Sequence, residues 1–281
     1  MDYKIIVDSC GELTHRMKES GVFTTASLSM RVDGDHIIDD ETFDQADFIR
    51  RVAASPECPK SSCPSPEKYM ELYSGEERRV YVVTLSSELS GSYNSAQLAA
   101  KLWKEEHGED GRQIHVFNSR SASVGETLIA CKVRECEEQG MTFEETVSET
   151  EAYIEGQHTY FVLENLDTLR KNGRLTGIRS FVASALNIKP VMGSTPQGTI
   201  CQLGQARGVK RALVKMTEQI VRDGKRTKEK VLAIAHCNCP ERAREVERMI
   251  LDKIHVRDSF IVDTAGISTM YANDGGIIVV L

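Results

Sequence analysis

Residues 80–93 of the chain read VYVVTLSSELSGSY, and this stretch decides the fold class. The mostly apolar run Val80–Leu85 is typical of a strand buried on both faces of a sheet. The polar loop Ser86–Gly91 follows, and helical spacing runs from Tyr93 to Glu106. A buried strand that leads through a short loop into a helix is half of a parallel βαβ unit. The stretch therefore predicts an α/β fold.

The same alternation of strand and helix continues on both sides of this stretch. Short apolar runs predict strands at Lys4–Val7 and Ile114–Phe117, and the second is followed by a predicted helix at Val124–Gln139. Helices between successive strands imply a mainly parallel sheet, in which ligands bind beyond the carboxyl ends of the strands. We therefore expect the serine-bearing loops that follow these strands to lie together.

The second half of the chain has a different pattern. A strand is predicted at His158–Leu163 and a short helix at Asp167–Lys171. The turn Pro196-Gln197-Gly198 predicts a hairpin, and Val231–Ala235 a further strand. These elements do not alternate regularly, which predicts a second domain of the α+β type over residues 158–281, after a first domain over residues 1–157.

Charge and terminal composition exclude several classes of protein. The 281 residues carry 35 Lys and Arg against 42 Asp and Glu, a net charge of −7, which argues against a nucleic-acid binder. The apolar segments near both ends are too short for a signal-peptide core or a membrane span. We therefore expect a cytoplasmic protein without stable membrane insertion.

The eight cysteines do not predict a disulfide framework, because the chain is large and shows no export signal. His236-Cys237-Asn238-Cys239 is a local cluster with metal-ligand chemistry, directly after a predicted strand. A structural zinc site needs about four ligands, and no second pair stands at a recognisable spacing. Reduced thiols and no metal site are the prediction.

The start of the helix after Ser86–Gly91 is a candidate anion site. The first backbone N–H groups of a helix have no partners inside it, and the helix dipole adds partial positive charge there. Ser90 and Gly91 could therefore hold a carboxylate or a phosphate. The same residues are equally typical of a simple helix cap, with Ser90 as the capping side chain.

Two further polar segments carry weaker signals. Ser61 and Ser62 lie in the predicted loop Ser55–Pro66, where serine and proline are ordinary residues. Arg174 follows the helix-ending Gly173 and could clamp an anion with two hydrogen bonds, although exposed surface arginines are as common.

Motifs of enzymes and of cofactor binding are missing from the sequence. It contains no G-x-S-x-G elbow, no G-x-x-x-x-G-K-[ST] loop and no G-x-G-x-x-G after a strand. Ser90 could act as a nucleophile only with a base such as His115 or His236, and no spacing requires that pairing. Neither catalytic residues nor a cofactor is predicted.

Taken together, segments that run almost from end to end resemble the DegV family of bacterial fatty-acid-binding proteins. The segments are Val7-Asp8-Ser9 with Glu12-Leu13, Ser61-Ser62-Cys63-Pro64-Ser65, Ser86-Ser87-Glu88-Leu89-Ser90-Gly91-Ser92-Tyr93, and Leu166 to Leu175 followed by Ile188-Lys189-Pro190. The resemblance implies an N-terminal three-layer α/β/α domain and a C-terminal α+β sandwich domain, with the ligand between them.

The resemblance also implies a function. Such proteins look like the lipid-binding subunits of bacterial fatty acid kinase. They hold a long-chain fatty acid such as palmitate, stearate or oleate, and present its carboxylate to a separate ATP-binding subunit that makes the acyl phosphate. The protein would then be a carrier without catalytic residues of its own.

By the same resemblance, six positions would bind the carboxylate: Ser61, Ser62, Ser90, Gly91, Arg174 and Tyr271. Tyr271 stands where the family has a histidine, and Asn273-Asp274 replaces part of its Gly-Pro-Gly turn. A phenol still donates a hydrogen bond to a carboxylate, but it does not become cationic at neutral pH as an imidazole can.

A predicted helix in the second half supplies a candidate wall for the acyl chain. Its apolar stripe consists of Ile178, Phe181, Val182 and Ala185, a spacing that is also typical of ordinary core packing. Burial of an acyl chain releases about 0.8 kcal/mol per methylene, so the tail should dominate affinity while the polar groups fix orientation.

Two other functions could use the same serine-bearing loops: an enzyme acting on a small anion, and a ligand-sensing regulatory module.

Overall fold

The computed structural model describes residues 2–108, 111–175 and 187–281. Its strands are β1 (Tyr3–Asp8), β2 (Phe23–Ala26), β3 (Ser29–Val32), β4 (Asp35–Ile38), β5 (Lys60–Ser62), β6 (Arg79–Thr84), β7 (Gln113–Asn118), β8 (Thr159–Val162), β9 (Ile188–Ser194), β10 (Ile200–Arg207), β11 (Val231–His236), β12 (Asp258–Asp263) and β13 (Ile277–Val280). Its α-helices are α1 (His15–Glu19), α2 (Gln45–Ala54), α3 (Pro66–Tyr73), α4 (Ser92–His107), α5 (Val124–Glu138), α6 (Phe143–Glu155), α7 (Asp167–Lys171), α8 (Val209–Asp223), α9 (Pro240–Leu251) and α10 (Gly266–Ala272).

The first sheet has the strand order β2-β1-β6-β7, and every pairing in it is parallel. Ile5 and Val83 face α5 and α6, whereas Ile6 and Val82 face α3 and α4. Both faces of the sheet are buried, which is why its strands are continuous apolar runs in the sequence. The predicted three-layer arrangement with a mainly parallel sheet is confirmed.

The second sheet has the order β10-β9-β8-β13-β11-β12 and is mixed, since only β11 and β12 run parallel. Helices α8 and α9 cover one face. The other face turns toward the first sheet, where Val124 and Leu128 of α5 pack on Ala233, Ala235 and Val280. The two halves of the chain are therefore joined by an apolar contact.

A small antiparallel sheet, in the order β4-β3-β5, lies beside this junction. Its strand β5 falls inside Ser55–Pro66, so the prediction of a loop throughout that range was wrong. Ser61 pairs with Met30, and Ser62 with Ser29. Hydrogen bonds to a distant strand create this short element, and serines without apolar alternation give no local signal of it.

Two helices were not predicted. The helix α6 begins with a capping box, in which Thr142 and Glu145 bond to each other's backbone N–H groups. The helix α10 is seven residues long and buried on almost all sides, so it has no amphipathic stripe to detect. In the described ranges, no helix has both the length and the apolar composition needed to cross a bilayer.

Candidate functional site

A cavity of about 400 Å³ lies between the first and the second sheet. Leu85 and Ser121, just beyond the carboxyl ends of β6 and β7, line it from one side. Phe161 of β8 and Ile278 of β13 line it from the other. The cavity thus occupies the edge of a parallel sheet at which ligands are expected.

All six residues predicted to bind a carboxylate line this one cavity: Ser61, Ser62, Ser90, Gly91, Arg174 and Tyr271. They come from four separate parts of the chain, namely β5, the loop before α4, the segment after α7, and α10. The fold therefore brings together residues that lie up to 210 positions apart in sequence. We call this group the mouth of the cavity.

Three of the mouth residues contact one another. The hydroxyl oxygens of Ser61 and Tyr271 lie 3.0 Å apart. The Arg174 guanidinium carbon lies 5.9 Å from the centre of the Tyr271 ring, and its Nε donates to the Leu89 carbonyl at 3.1 Å. Burial raises the pKa of Tyr271 above its ordinary value, against the opposing effects of Ser61 and Arg174. The phenol is therefore neutral at physiological pH and can donate a hydrogen bond.

Ser90 and Gly91 form the start of α4. Gly91 is the N-cap residue, and no side chain caps the helix. The Ser90 hydroxyl accepts the Ser92 N–H at 3.2 Å, so its own hydrogen remains available to a ligand. A Cβ atom at Gly91 would lie 3.1 Å from Cys63 Sγ, which makes glycine the residue that leaves the helix start accessible. The alternative of a helix capped by the Ser90 side chain is therefore wrong, and the Ser90 hydroxyl is free to donate to a ligand.

A buried aspartate holds this loop in place. Asp8, at the end of β1, accepts hydrogen bonds from Leu85 N (2.8 Å), Ser92 Oγ (2.6 Å) and Cys10 N (3.1 Å). Ser92 Oγ also lies 2.6 Å from the Tyr69 hydroxyl. Burial raises the pKa of Asp8, and the bonds from Ser92 and Leu85 oppose that rise. Asp8 thus joins the end of β6 to the start of α4.

Two further acids lie behind the cavity wall. The Glu12 carboxylate accepts a hydrogen bond at 2.7 Å from the Ser123 hydroxyl, and Ser123 lines the cavity. Burial raises the pKa of Glu12 to about 7. Burial and the neighbouring Asp8 carboxyl raise the pKa of Glu126 well above its ordinary value. This acidic cluster was not predicted from the sequence, although Asp8 and Glu12 belong to one of the segments that resemble the family.

The described walls of the cavity are largely apolar. Thr159, Phe161 and Leu163 alternate along β8 and its continuation, and all three line the cavity. Ile278 pairs with Phe161 on the neighbouring strand β13, and Leu169 of α7 lines the cavity near the mouth. The predicted tail wall, Ile178, Phe181, Val182 and Ala185, lies outside the described residues.

The histidines considered as bases for Ser90 lie elsewhere. His115 Nε2 is 3.3 Å from Glu151, and His236 Nδ1 is 3.2 Å from Asp263. Among the described residues that line the cavity there is no histidine. In the same part of the chain, no group of three or more His, Cys, Asp or Glu side chains is arranged to hold a metal ion.

Comparison with known sequences identifies a family over nearly the whole chain. The model of the DegV family, described as an uncharacterised protein, matches residues 2–280. A DegV domain-containing protein of Streptococcus pneumoniae (strain R6) is 32% identical over 280 residues, which cover 99% of this chain and 98% of the relative.

Solved structures show the same similarity. A DegV-family protein from Ruminococcus gnavus, refined with vaccenic acid, is 62% identical with a TM-score of 0.97 and covers 100% of both chains. The fatty acid kinase (Fak) B3 protein of Streptococcus pneumoniae, loaded with linoleic acid, is 31% identical with a TM-score of 0.88; the match covers 100% of this chain and 99% of that one. A DegV-family protein from Eubacterium eligens, loaded with heptadecanoic acid, is 26% identical with a TM-score of 0.88, over 99% and 98% of the two chains. The full-length family match and these relatives show that the chain belongs to the DegV family.

Proposed function

We propose that the cavity binds one long-chain fatty acid, with the carboxylate at the mouth and the acyl chain between the two sheets. The observation that carries this proposal is that all six predicted carboxylate ligands meet at one cavity whose other described walls are largely apolar. A carboxylate removed from water needs several donors, and hydroxyl groups, the start of α4 and Arg174 are placed to provide them.

Relatives that bind fatty acids support the class of ligand. The Ruminococcus gnavus protein, 62% identical, was refined with vaccenic acid, which is a monounsaturated long-chain acid. We accordingly propose a saturated or monounsaturated acid such as palmitate, stearate or oleate as the ligand, without a further cofactor.

The similarity to the Fak B3 protein supports a role in fatty acid kinase. We propose that the chain presents its carboxylate to an ATP-binding kinase subunit in the cytoplasm. There, a carboxylate oxygen attacks the γ-phosphorus of ATP, and acyl phosphate and ADP leave. All catalytic residues then belong to the kinase subunit, and this chain positions the acyl carboxylate.

We further propose that residues 1–157 and 158–281 are the two domains between which the ligand is held. Every strand of the first sheet precedes this boundary, and every strand of the second sheet follows it. Ligand binding is then expected to link two halves that each have a core of their own.

The replacement Ser90→Ala tests the carboxylate site. It removes a hydroxyl that donates to the ligand, and we expect binding of palmitate to the delipidated protein to weaken about tenfold, as for the loss of one hydrogen bond to a charged group. The matched control is Ser87→Ala in the same loop, because the Ser87 hydroxyl bonds to Asn118 and Ser87 does not line the cavity. If the two variants bound palmitate with equal affinity, Ser90 would not be a ligand of the carboxylate.

The kinase role is tested by adding an ATP-binding subunit of fatty acid kinase to the loaded protein. We expect ATP-dependent acyl phosphate, trapped by hydroxylamine as the acyl hydroxamate, only when both proteins are present. Acyl phosphate formed by the isolated chain would instead identify it as an enzyme.

A further inference from the structure

The cavity extends along β8 away from the mouth. Thr159 starts this strand, and Leu163 follows its last residue, so their Cα atoms lie about 13 Å apart in an extended chain. Tyr271 of the mouth packs on the apolar cluster that contains Leu163 and Leu169. Thr159 therefore marks the end of the cavity opposite the mouth, which we call the far end.

The far end is lined by hydroxyl groups. Ser121 Oγ and Thr159 Oγ1 lie 2.6 Å apart, and these residues are only 4% and 8% exposed. Ser194, at the end of β9, lines the same end and accepts the Thr159 N–H at 3.4 Å. Three hydroxyls thus surround the place where the methyl end of a simple fatty acid would lie, although an apolar wall would suit a methyl group better.

Polar groups that have no hydrogen-bond partner in the described chain lie beside the far end. Behind Ser121, the amide nitrogen and oxygen of Gln157 are buried without a hydrogen-bond partner in the described chain. Gln157 Nε2 and Ser121 Oγ lie beside the same face of Gly125, where a Cβ would meet both. Arg120 lines the cavity next to Ser121, and its side chain makes no hydrogen bond or ion pair with another described residue. A buried amide such as that of Gln157 normally has a hydrogen-bond partner.

We propose that the far end is a subsite for oxygen, and that the chain binds long-chain fatty acids with a hydroxyl group at or near the methyl end. This inference rests on the proposed function, since it assumes an acyl chain anchored at the mouth. The ligand's hydroxyl group donates a hydrogen bond to the hydroxyl of one of the two residues, Ser121 or Thr159. It accepts a hydrogen bond from the hydroxyl of the other residue. A methyl group at the same place could make neither of these hydrogen bonds.

The test is a binding competition on the delipidated full chain between palmitic acid and ω-hydroxypalmitic acid. The wild-type protein is expected to prefer the hydroxy acid about five- to tenfold, as for one net hydrogen bond. Thr159→Val keeps the side-chain shape and removes the hydroxyl, so it is expected to abolish the preference for the hydroxy acid. The matched control is Thr217→Val, a buried threonine of α8 outside the cavity, which should keep the wild-type preference.

Two results would overturn the inference. One is a wild-type protein that binds palmitic acid as tightly as, or more tightly than, the hydroxy acid. The other is a preference that survives both Thr159→Val and Ser121→Ala, the second variant also serving if the first does not fold. Failure of the wild-type protein to bind either acid would overturn the proposed function as well, whereas binding without preference overturns the far-end subsite alone.

Discussion

The mouth of the cavity and its apolar walls differ in how they are built. At the mouth, Ser61, Ser90 and Tyr271 come from distant segments, remain partly exposed and hold polar groups in place by hydrogen bonds. The walls at Phe161 and Ile278 belong to neighbouring strands of one sheet and offer only apolar contact. Since apolar burial supplies most of the transfer free energy, the walls should set affinity, and the mouth should set the orientation of the ligand.

Filling the cavity from a wall should have the largest effect. Ile278→Trp places a larger side chain in the path of the acyl chain, and exclusion of even two methylenes would weaken palmitate binding about tenfold or more. The measurement is a fluorescence or calorimetric titration of the delipidated protein.

Ile278→Val is the matched control for that variant, because it shortens the wall without obstructing the cavity. It should bind palmitate with a much smaller change. Unaltered binding by a folded Ile278→Trp protein would show that the acyl chain lies elsewhere.

The glutamate Glu12, buried behind the cavity wall, gives the second prediction. Burial raises the pKa of Glu12 from 4.5 to about 7, so the folded protein keeps a proton that the unfolded chain has lost across this interval. The free energy of unfolding should therefore fall as pH rises from about 4.5 to about 7, with a contribution from Glu12 of up to about 3 kcal/mol. Glu12→Gln should make that fall shallower in urea unfolding at pH 5 and pH 8.

Glu88→Gln, at an exposed position of the loop before α4, is the control and should keep the wild-type pH dependence. If the free energy of unfolding of Glu12→Gln changed with pH as steeply as that of the wild-type protein, Glu12 would not hold an extra proton in the folded protein. Tyr271 at the mouth should add nothing to this pH dependence, because it keeps its proton between pH 4.5 and pH 7.

The smallest effect is expected at the mouth from Tyr271→Phe. This change removes one neutral hydroxyl and its contact with Ser61, and palmitate binding should weaken about two- to tenfold. Tyr93→Phe is the control, because the Tyr93 hydroxyl only accepts from Gln97 and Tyr93 does not line the cavity. A loss larger than that of Ile278→Trp would reverse the division between mouth and walls.

The contrast also explains what could be predicted from sequence. Part of the mouth is signalled locally, because a serine and a glycine at a helix start form a short motif with a physical meaning, whereas the full set with Ser61, Ser62 and Tyr271 was predicted only through the resemblance to the family. The parallel sheet was equally evident from apolar runs such as Val80–Leu85.

The walls and the buried acids depend on packing between distant segments. Thr159, Phe161 and Leu163 alternate as wall residues, but a strand of four residues gives too short a pattern to show which side faces a cavity. The burial of Glu12 and Glu126 arises where the two halves of the chain meet, and nothing in their sequence neighbourhood distinguishes them from surface glutamates.

The family's turn near the C-terminus illustrates a substitution that the fold accommodates. Asn273 follows α10 with φ of +58° and ψ of 168°, a conformation that is normally confined to glycine. Asp274 accepts a hydrogen bond from Asn238 at 3.0 Å. Tyr271, which precedes this turn, lines the cavity, and its carbonyl accepts a hydrogen bond from the Asn273 side chain at 3.0 Å.

The central claim is that the cavity holds a fatty acid, and mass spectrometry of an organic-solvent extract tests it most directly. The protein is purified without any delipidation step, and the extract is quantified against the protein. We predict close to one equivalent of long-chain fatty acid per chain. An extract without fatty acid, or with a stoichiometric ligand of another class, would contradict the account.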